Sequence, residues 1–293
     1  MAYWWSERKV IHVTQQQIKL VAIDLDGTLL TDDKQLPQAN IDAIHQAIQA
    51  GVQVVICTGR TLPGVRDIIA QLPFDGEDDF LILQNGSVTH RLHNLEIMDQ
   101  VTLSAQARAS LMAFARIFDE EGAQLVAFDQ EGMMLVSQYE ASEIVISDSK
   151  ALSTPITLFS AEEFLAYEGF NKAMVLAEPA VLDGLKDRVP SELSAHFSTV
   201  RSQPIIAEFL VKGVSKASGL KTLAQRLGFE AQEVMAIGDQ LNDLEMLEWA
   251  GLGVAMGNAV AGIKEVADVV TGTNEEAGVA QAIERHILSE GKA

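Results

Sequence analysis

The sequence predicts a doubly wound parallel α/β core interrupted by an inserted α+β domain. Three observations carry this expectation. Short, wholly apolar runs alternate with segments of helical period in the first third of the chain. The same rhythm returns in the last third. The stretch between, about residues 87–199, follows a different and mixed order.

The regular pattern starts near residue 18. Lys19-Leu20-Val21-Ala22-Ile23 is an apolar run that ends in Asp24 and reads as a buried strand. From Pro37 to Ala50, Ile41, Ile44 and Ile48 recur at helical spacing, and Gly51 ends the helix. Val52 to Cys57 reads as the second strand, Leu62 to Leu72 as a helix, and Phe80-Leu81-Ile82-Leu83 as the third strand. In the middle, a long helix is expected from Ser104 to Glu121. Gln124–Phe128 and Met133–Ser137 flank the turn Asp129-Gln130-Glu131-Gly132 and suggest a hairpin. A further helix, the strand Ala173–Leu176, a helix after Pro179 and a run near Thr199 follow. The α/β rhythm resumes with a helix carrying Leu220, Leu223 and Leu227, then Val234–Ile237, a helix from Leu241 to Ala250, Leu252–Ala255, another helix, Asp268–Val270 and a last helix.

Composition narrows the function classes. Of 293 residues, 48% are hydrophobic and 21% charged, which is the balance of a folded globular chain. The formal net charge of −20 repels nucleic acid and anionic lipid, so neither is expected as a partner. It repels anionic substrates too, so a site for a phosphate ester needs local positive charge or a metal. The single cysteine, Cys57, sits inside an apolar run, excludes an intramolecular disulfide and reads as a small buried hydrophobe. No apolar run is long enough to span a bilayer, and MAYWWSERKVIHVTQQQ does not read as a signal peptide, so a cytoplasmic location is expected.

Polar residues collect just after the predicted parallel strands: Asp24 and Asp26, then Thr58, Gly59 and Arg60, then Asn85 and Gly86, then Asp239, then Asn258. Open α/β sheets bind ligands at the carboxyl ends of their strands. If the strand order is 3-2-1-4-5-6, strands one and four adjoin at the switch point, and Asp24 faces Asp239. Close like charges are costly unless a proton or a cation joins them. Asp24, Asp239 and Asp243 offer oxygen only, which suits a hard cation, with Mg²⁺ the best fit. Taken singly, each residue has an ordinary use. Asp26-Gly27 would serve as a turn, Thr58 as a helix cap, Lys216 as a solvated helix residue, and Asn242-Asp243 as a helix N-terminus. Their joint placement favours one site.

Asp24-Leu25-Asp26-Gly27-Thr28-Leu29-Leu30 resembles the first motif of the haloacid dehalogenase superfamily of phosphatases. Thr58-Gly59-Arg60 resembles the second motif, Lys216 in Lys212-Gly213-Val214-Ser215-Lys216 the third, and Gly238-Asp239-Gln240-Leu241-Asn242-Asp243 the fourth. Asn85-Gly86 and Ala255-Met256-Gly257-Asn258-Ala259 match the Cof-type branch, and the long insert is similar to its large α+β cap. The likeness runs from about residue 18 to the end and is nearest to the bacterial sugar phosphatases. Ala217 and Ser218 depart from it, standing where a Lys-Gly pairing is common. The first 17 residues have no counterpart.

The resemblance implies a Rossmann-like catalytic core over 18–86 and 200–293, a cap over 87–199 that sets specificity, and an N-terminal extension, 1–17, of unknown role. It implies that Asp24 attacks phosphorus to give an aspartyl-phosphate, while Asp26 acts as general acid and base. Asp24 is expected to be ionised at pH 7 without help. Asp26 must hold a proton, which at its ordinary pKa costs roughly 4 kcal/mol at pH 7. Its surroundings must therefore raise its pKa, or the substrate must bring the proton. Mg²⁺ is expected between the Asp24 side chain, the Asp26 backbone carbonyl and Asp239, with Asp243 supporting. Thr58, Gly59, Lys216 and Asn242 are expected to hold the phosphoryl group, and Asn85, Gly86 and Arg60 to face the substrate. Lys172 and Arg201 are candidate anion contacts, with a solvated surface role the expectation for each.

The expected activity is hydrolysis of small phosphorylated metabolites, with sugar phosphates first and FMN, pyridoxal phosphate or nucleotides as alternatives. A phosphomutase would return the phosphate to a sugar. A phospho-ligand sensor would bind without turnover, which retention of Asp24, Asp26, Lys216 and Asp239 argues against. Gly251-Leu252-Gly253 has the flavour of a dinucleotide fingerprint, but the third glycine is displaced and no helix follows directly. No P-loop is present in the sequence. Monomer and homodimer both stay open.

Overall fold

The computed structural model describes residues 18–74, 78–136, 140–186 and 188–289. The extension 1–17 with Trp4 and Trp5 lies outside these residues, as does Ser137 of the expected hairpin. In chain order the strands are β1 (Leu20–Ile23), β2 (Gln53–Cys57), β3 (Phe80–Leu83), β4 (Val88–Arg91), β5 (Glu96–Gln100), β6 (Gln124–Phe128), β7 (Met133–Val136), β8 (Ile156–Phe159), β9 (Lys172–Leu176), β10 (Phe197–Gln203), β11 (Ile206–Val211), β12 (Val234–Gly238), β13 (Leu252–Ala255) and β14 (Val269–Val270).

They form two sheets among the described residues. The first has the order β14-β13-β12-β1-β2-β3-β4-β5, parallel from β14 to β3. Its parallel part is the 3-2-1-4-5-6 arrangement, so β1 lies between β2 and β12, with Ile23 opposite both Ile56 and Ile237. Every residue of β1 is buried, as a central strand covered on both faces requires. The helix Gln38–Gln49 packs on Gly278–His286, and Lys216–Leu227 packs on Leu244–Trp249. One apolar cluster runs through this whole layer.

The second sheet has the order β10-β11-β9-β6-β7-β8 and carries separate apolar clusters. In one of them Phe114 meets Phe118 and Phe209 edge to face. The expected hairpin is present as β6–β7, antiparallel, with Phe128 opposite Met133.

The sheets divide the chain later than 87 and 199. The hairpin β4–β5 joins the first sheet beyond β3, and the hairpin β10–β11 joins the second. Two helices are shorter than their periodicity suggests. The region 62–72 keeps only Arg66–Ile69 after a 3₁₀ turn at Pro63–Val65. In the long helix, Ser104 caps Ala105–Ala115 by accepting the Ala107 N–H at 3.1 Å, and Arg116–Glu121 tightens to 3₁₀. No helix among the described residues is long and apolar enough to cross a membrane.

Candidate active site

Parallel pairing brings the ends of β1, β2 and β12 to one edge of the sheet. The Asp24 N–H donates to the Ile237 carbonyl at 3.0 Å, which fixes Asp24 beside the loop that follows β12. The helix Lys216–Leu227 starts against the same edge. Ser215 caps it, and Ser218 completes the cap by accepting the Ser215 N–H at 2.9 Å, which gives this departure from the family pattern a structural use. Gly86 (φ +93°) passes so close to this start that a Cβ would run into the Ser215 carbonyl oxygen. Lys216 is thereby set at the first turn, with no exposed surface.

The Lys216 ammonium donates to Asp24 and, at 2.6 Å, to Asp243 Oδ1. Asp243 Oδ2 accepts the backbone N–H groups of Asp239 and Gln240 at 2.9 and 3.0 Å. Asp239 in turn accepts from the Thr28 hydroxyl at 3.1 Å and the Gln240 amide at 3.0 Å. At Gly27 (φ +79°) a Cβ would stand 2.6 Å from Asp239 Oδ2, so only glycine lets the first loop close on that carboxylate. Asn258 donates to the Gly27 carbonyl at 2.8 Å and holds the same loop from the far side.

Charge in this cluster is unbalanced. One oxygen from each of Asp24, Asp239 and Asp243 lies within 4.8 Å of the others. If all three ionise, three carboxylates against one ammonium leave two negative charges in a buried place. Burial pushes the Asp24 carboxyl up, the Asp243 charge adds to that and Lys216 opposes it, to about 8. The expectation that Asp24 ionises unaided is therefore corrected: its carboxyl is largely buried and sits among other carboxylates. Burial raises Asp239 as well. The oxygen-only donor set and its two excess negative charges fit a hard divalent cation.

Asp26 meets the opposite surroundings. Burial pushes its carboxyl up, but hydrogen bonds from Arg60 (2.7 and 2.6 Å) and Lys34 (2.8 Å) outweigh it and hold the group below its ordinary range. Arg60 therefore spends its fork on Asp26 and on the Gly64 carbonyl at 2.9 Å. Of the two ways for Asp26 to gain a proton, a pKa raised by its surroundings is not the one built here.

Asp24 and Asp26 open onto a cavity of about 270 Å³ between the sheets, which Thr58, Gly59, Arg60, Asn85, Gln240 and Asn242 also line. Asn242 donates to Asn85 Oδ1 at 3.1 Å across its mouth. Gly86 is not among the lining residues, because it packs under the Lys216 helix. From the second sheet come Lys172, Met174, Ile206 and Glu208, with Asp148 and Leu152 from the neighbouring helix and its end. Lys172 is thus buried over the active cavity, not solvated. Arg201 is turned to Gln203, Asp183, Pro179 and Pro204 at another cavity.

Lys34, Thr28, Gln240, Asp148 and Glu208 were not singled out by the sequence as site residues. Thr28 and Gln240 sit inside recognisable loops and were findable there. Nothing in the local sequence marks Lys34, Asp148 or Glu208.

The chain matches the haloacid dehalogenase-like hydrolase family over residues 21–283. The 5-amino-6-(5-phospho-D-ribitylamino)uracil phosphatase YcsE of Bacillus subtilis is 34% identical over 271 residues, covering 92% of this chain and 96% of that one. The phosphatase YwpJ of the same organism is 31% identical over 294 residues, covering 92% and 100%. A haloacid dehalogenase-like hydrolase from Bacteroides thetaiotaomicron superposes with a TM-score of 0.81 at 28% identity, covering 92% and 99%.

Proposed function

The chain belongs to the haloacid dehalogenase-like hydrolases and is a phosphatase of small phosphorylated substrates, and we propose that it works through an aspartyl-phosphate on Asp24, with Mg²⁺, on sugar phosphates first of all. The observation that carries this reading is the meeting of Asp24, Lys216, Asp239 and Asp243 at the end of the central strand, where Asp24 lines a cavity between the two sheets.

In this reading an Asp24 oxygen attacks phosphorus, and the bond to the ester oxygen breaks. Arg60 and Lys34 keep Asp26 ionised, so its proton arrives with the substrate. Phosphate monoesters have a second pKa of about 6 and carry a proton in part near neutrality. Asp26 passes that proton to the leaving oxygen, then takes one from the water that hydrolyses the aspartyl-phosphate. Lys216, Thr58, Asn242 and the Gly59 backbone hold the phosphoryl oxygens. Asp24, Asp239 and the Asp26 backbone carbonyl would hold Mg²⁺. Asp243 supports them by fixing Lys216 and the loop of Asp239. The cation supplies positive charge to offset the buried carboxylates and the phosphoryl group.

The cap of this reading spans about 101–212, from the end of β5 to the end of β11, and residues 18–100 and 213–289 form the catalytic core. The cap keeps water from the cavity and contacts the leaving group. Hydrolysis of a chromogenic phosphate ester, with and without Mg²⁺, tests the mechanism. Wild type should turn over only with the metal, and Asp24→Asn should lose at least about 10³-fold in kcat. Full activity of the variant would sink the role of Asp24.

A further inference from the structure

The roof of the cavity carries polar groups that the chemistry above does not use. Asp148 is 8% exposed, and its Oδ2 is buried without a hydrogen-bond partner among the described residues. Lys172 lies over the Phe128 ring, 4.8 Å from its centroid, and its ammonium stands 3.7 Å from Glu208, too far for a hydrogen bond. All three residues line the cavity that Asp24 and Asp26 open onto. Burial raises the Asp148 carboxyl, Lys172 opposes this and Glu208 adds to it, so the three groups sense one another.

We infer that Asp148, Lys172 and Glu208 form the subsite that reads the leaving group, and that it selects an uncharged, hydroxyl-bearing leaving group over one with a second phosphate. This rests on the phosphatase reading above. A buried acceptor and an underused donor side by side match a hydroxyl, which donates and accepts at once. One hydroxyl can donate to Asp148 and accept from Lys172. A second phosphate meets two carboxylates against one ammonium, which disfavours it. Leu152, Met174 and Ile206 add apolar surface for the carbon skeleton, and Gln203 lines the cavity beside them. Sites that pair a substrate hydroxyl discriminate strongly, because the analogue without it strands the buried partner.

The test compares kcat/KM for glucose 6-phosphate, glucose 1,6-bisphosphate and p-nitrophenyl phosphate, with Mg²⁺ present. Wild type should prefer the monophosphate over the bisphosphate by tenfold or more. Asp148→Asn should lower the ratio of glucose 6-phosphate to p-nitrophenyl phosphate by about tenfold or more. Glu208→Gln, at the edge of the cluster, should raise the bisphosphate relative to the monophosphate several-fold. A wild type that favours the bisphosphate, or an Asp148→Asn ratio that does not move, overturns the assignment. No turnover of any of the three by wild type would instead count against the phosphatase mechanism itself.

Discussion

The floor and the roof of the cavity treat their carboxylates differently. On the floor, Asp26, Asp239 and Asp243 each have both side-chain oxygens hydrogen-bonded. On the roof, Asp148 has a buried oxygen with none, and Lys172 and Glu208 meet only at ion-pair distance. The floor is preorganised and gains little from contact with a leaving group. The roof completes its hydrogen bonds only when something enters. In the proposed reading, chemistry and selection are thus separated by sheet: one holds the candidate reacting groups still, and the other holds polar groups short of partners.

Removing a partner should hurt the floor most. Lys216→Met strands the buried Asp24 and Asp243 and should lower the free energy of unfolding by about 3–5 kcal/mol in urea titrations. The frame beneath the floor should come next. Gly86→Ala sets a Cβ against the Ser215 carbonyl at a positive φ and should lose about 2–3 kcal/mol by the same measurement. The roof should respond with the opposite sign. Asp148→Leu removes a partnerless buried oxygen and should gain about 1 kcal/mol. A loss there as large as that for Lys216→Met would erase the contrast between the two faces.

The smallest effect expected is a pH dependence of the metal's stabilisation. Asp24, raised to about 8 by burial and neighbouring carboxylates, binds its proton more tightly folded than unfolded. Its contribution therefore falls as pH rises from the ordinary carboxylate range towards 8. Cation binding relieves that penalty, so Mg²⁺ should raise Tm more at pH 8 than at pH 5.5. Equal increments at both values would show that Asp24 does not sense the metal.

The floor was largely legible in the sequence because its groups sit at the ends of apolar runs whose alternation fixes a parallel sheet. Asp24, Asp26, Thr58 and Asp239 are each one to three residues past a strand, and strand order brings those ends together. What could not be seen there is the environment. The ionisation of Asp24 depends on Asp243 and Lys216 meeting it in space, and that of Asp26 on Lys34 and Arg60 reaching back. The roof was hardly legible. Asp148 lies between two serines on a short helix that also carries Glu143, and Glu208 alternates with Ala207 and Phe209 as any half-buried strand residue would. Their value comes from how the second sheet lies over the first, which no local spacing records. The hairpins β4–β5 and β10–β11 shifted the boundaries for the same reason: a strand's partner decides which sheet it joins.

The position of β1 has a consequence for synthesis. Its first neighbour, β2, leaves the ribosome soon after it, but its other neighbour, β12, pairs Leu20 with Val234. Until then this wholly apolar, buried strand has one open edge, and the whole second sheet is made while it waits. An insert that folds on itself keeps its own strands from pairing with that edge. The candidate site also assembles late, because the Lys216 partner of Asp24 comes 192 residues later and the Thr28 hydroxyl waits 211 residues for Asp239.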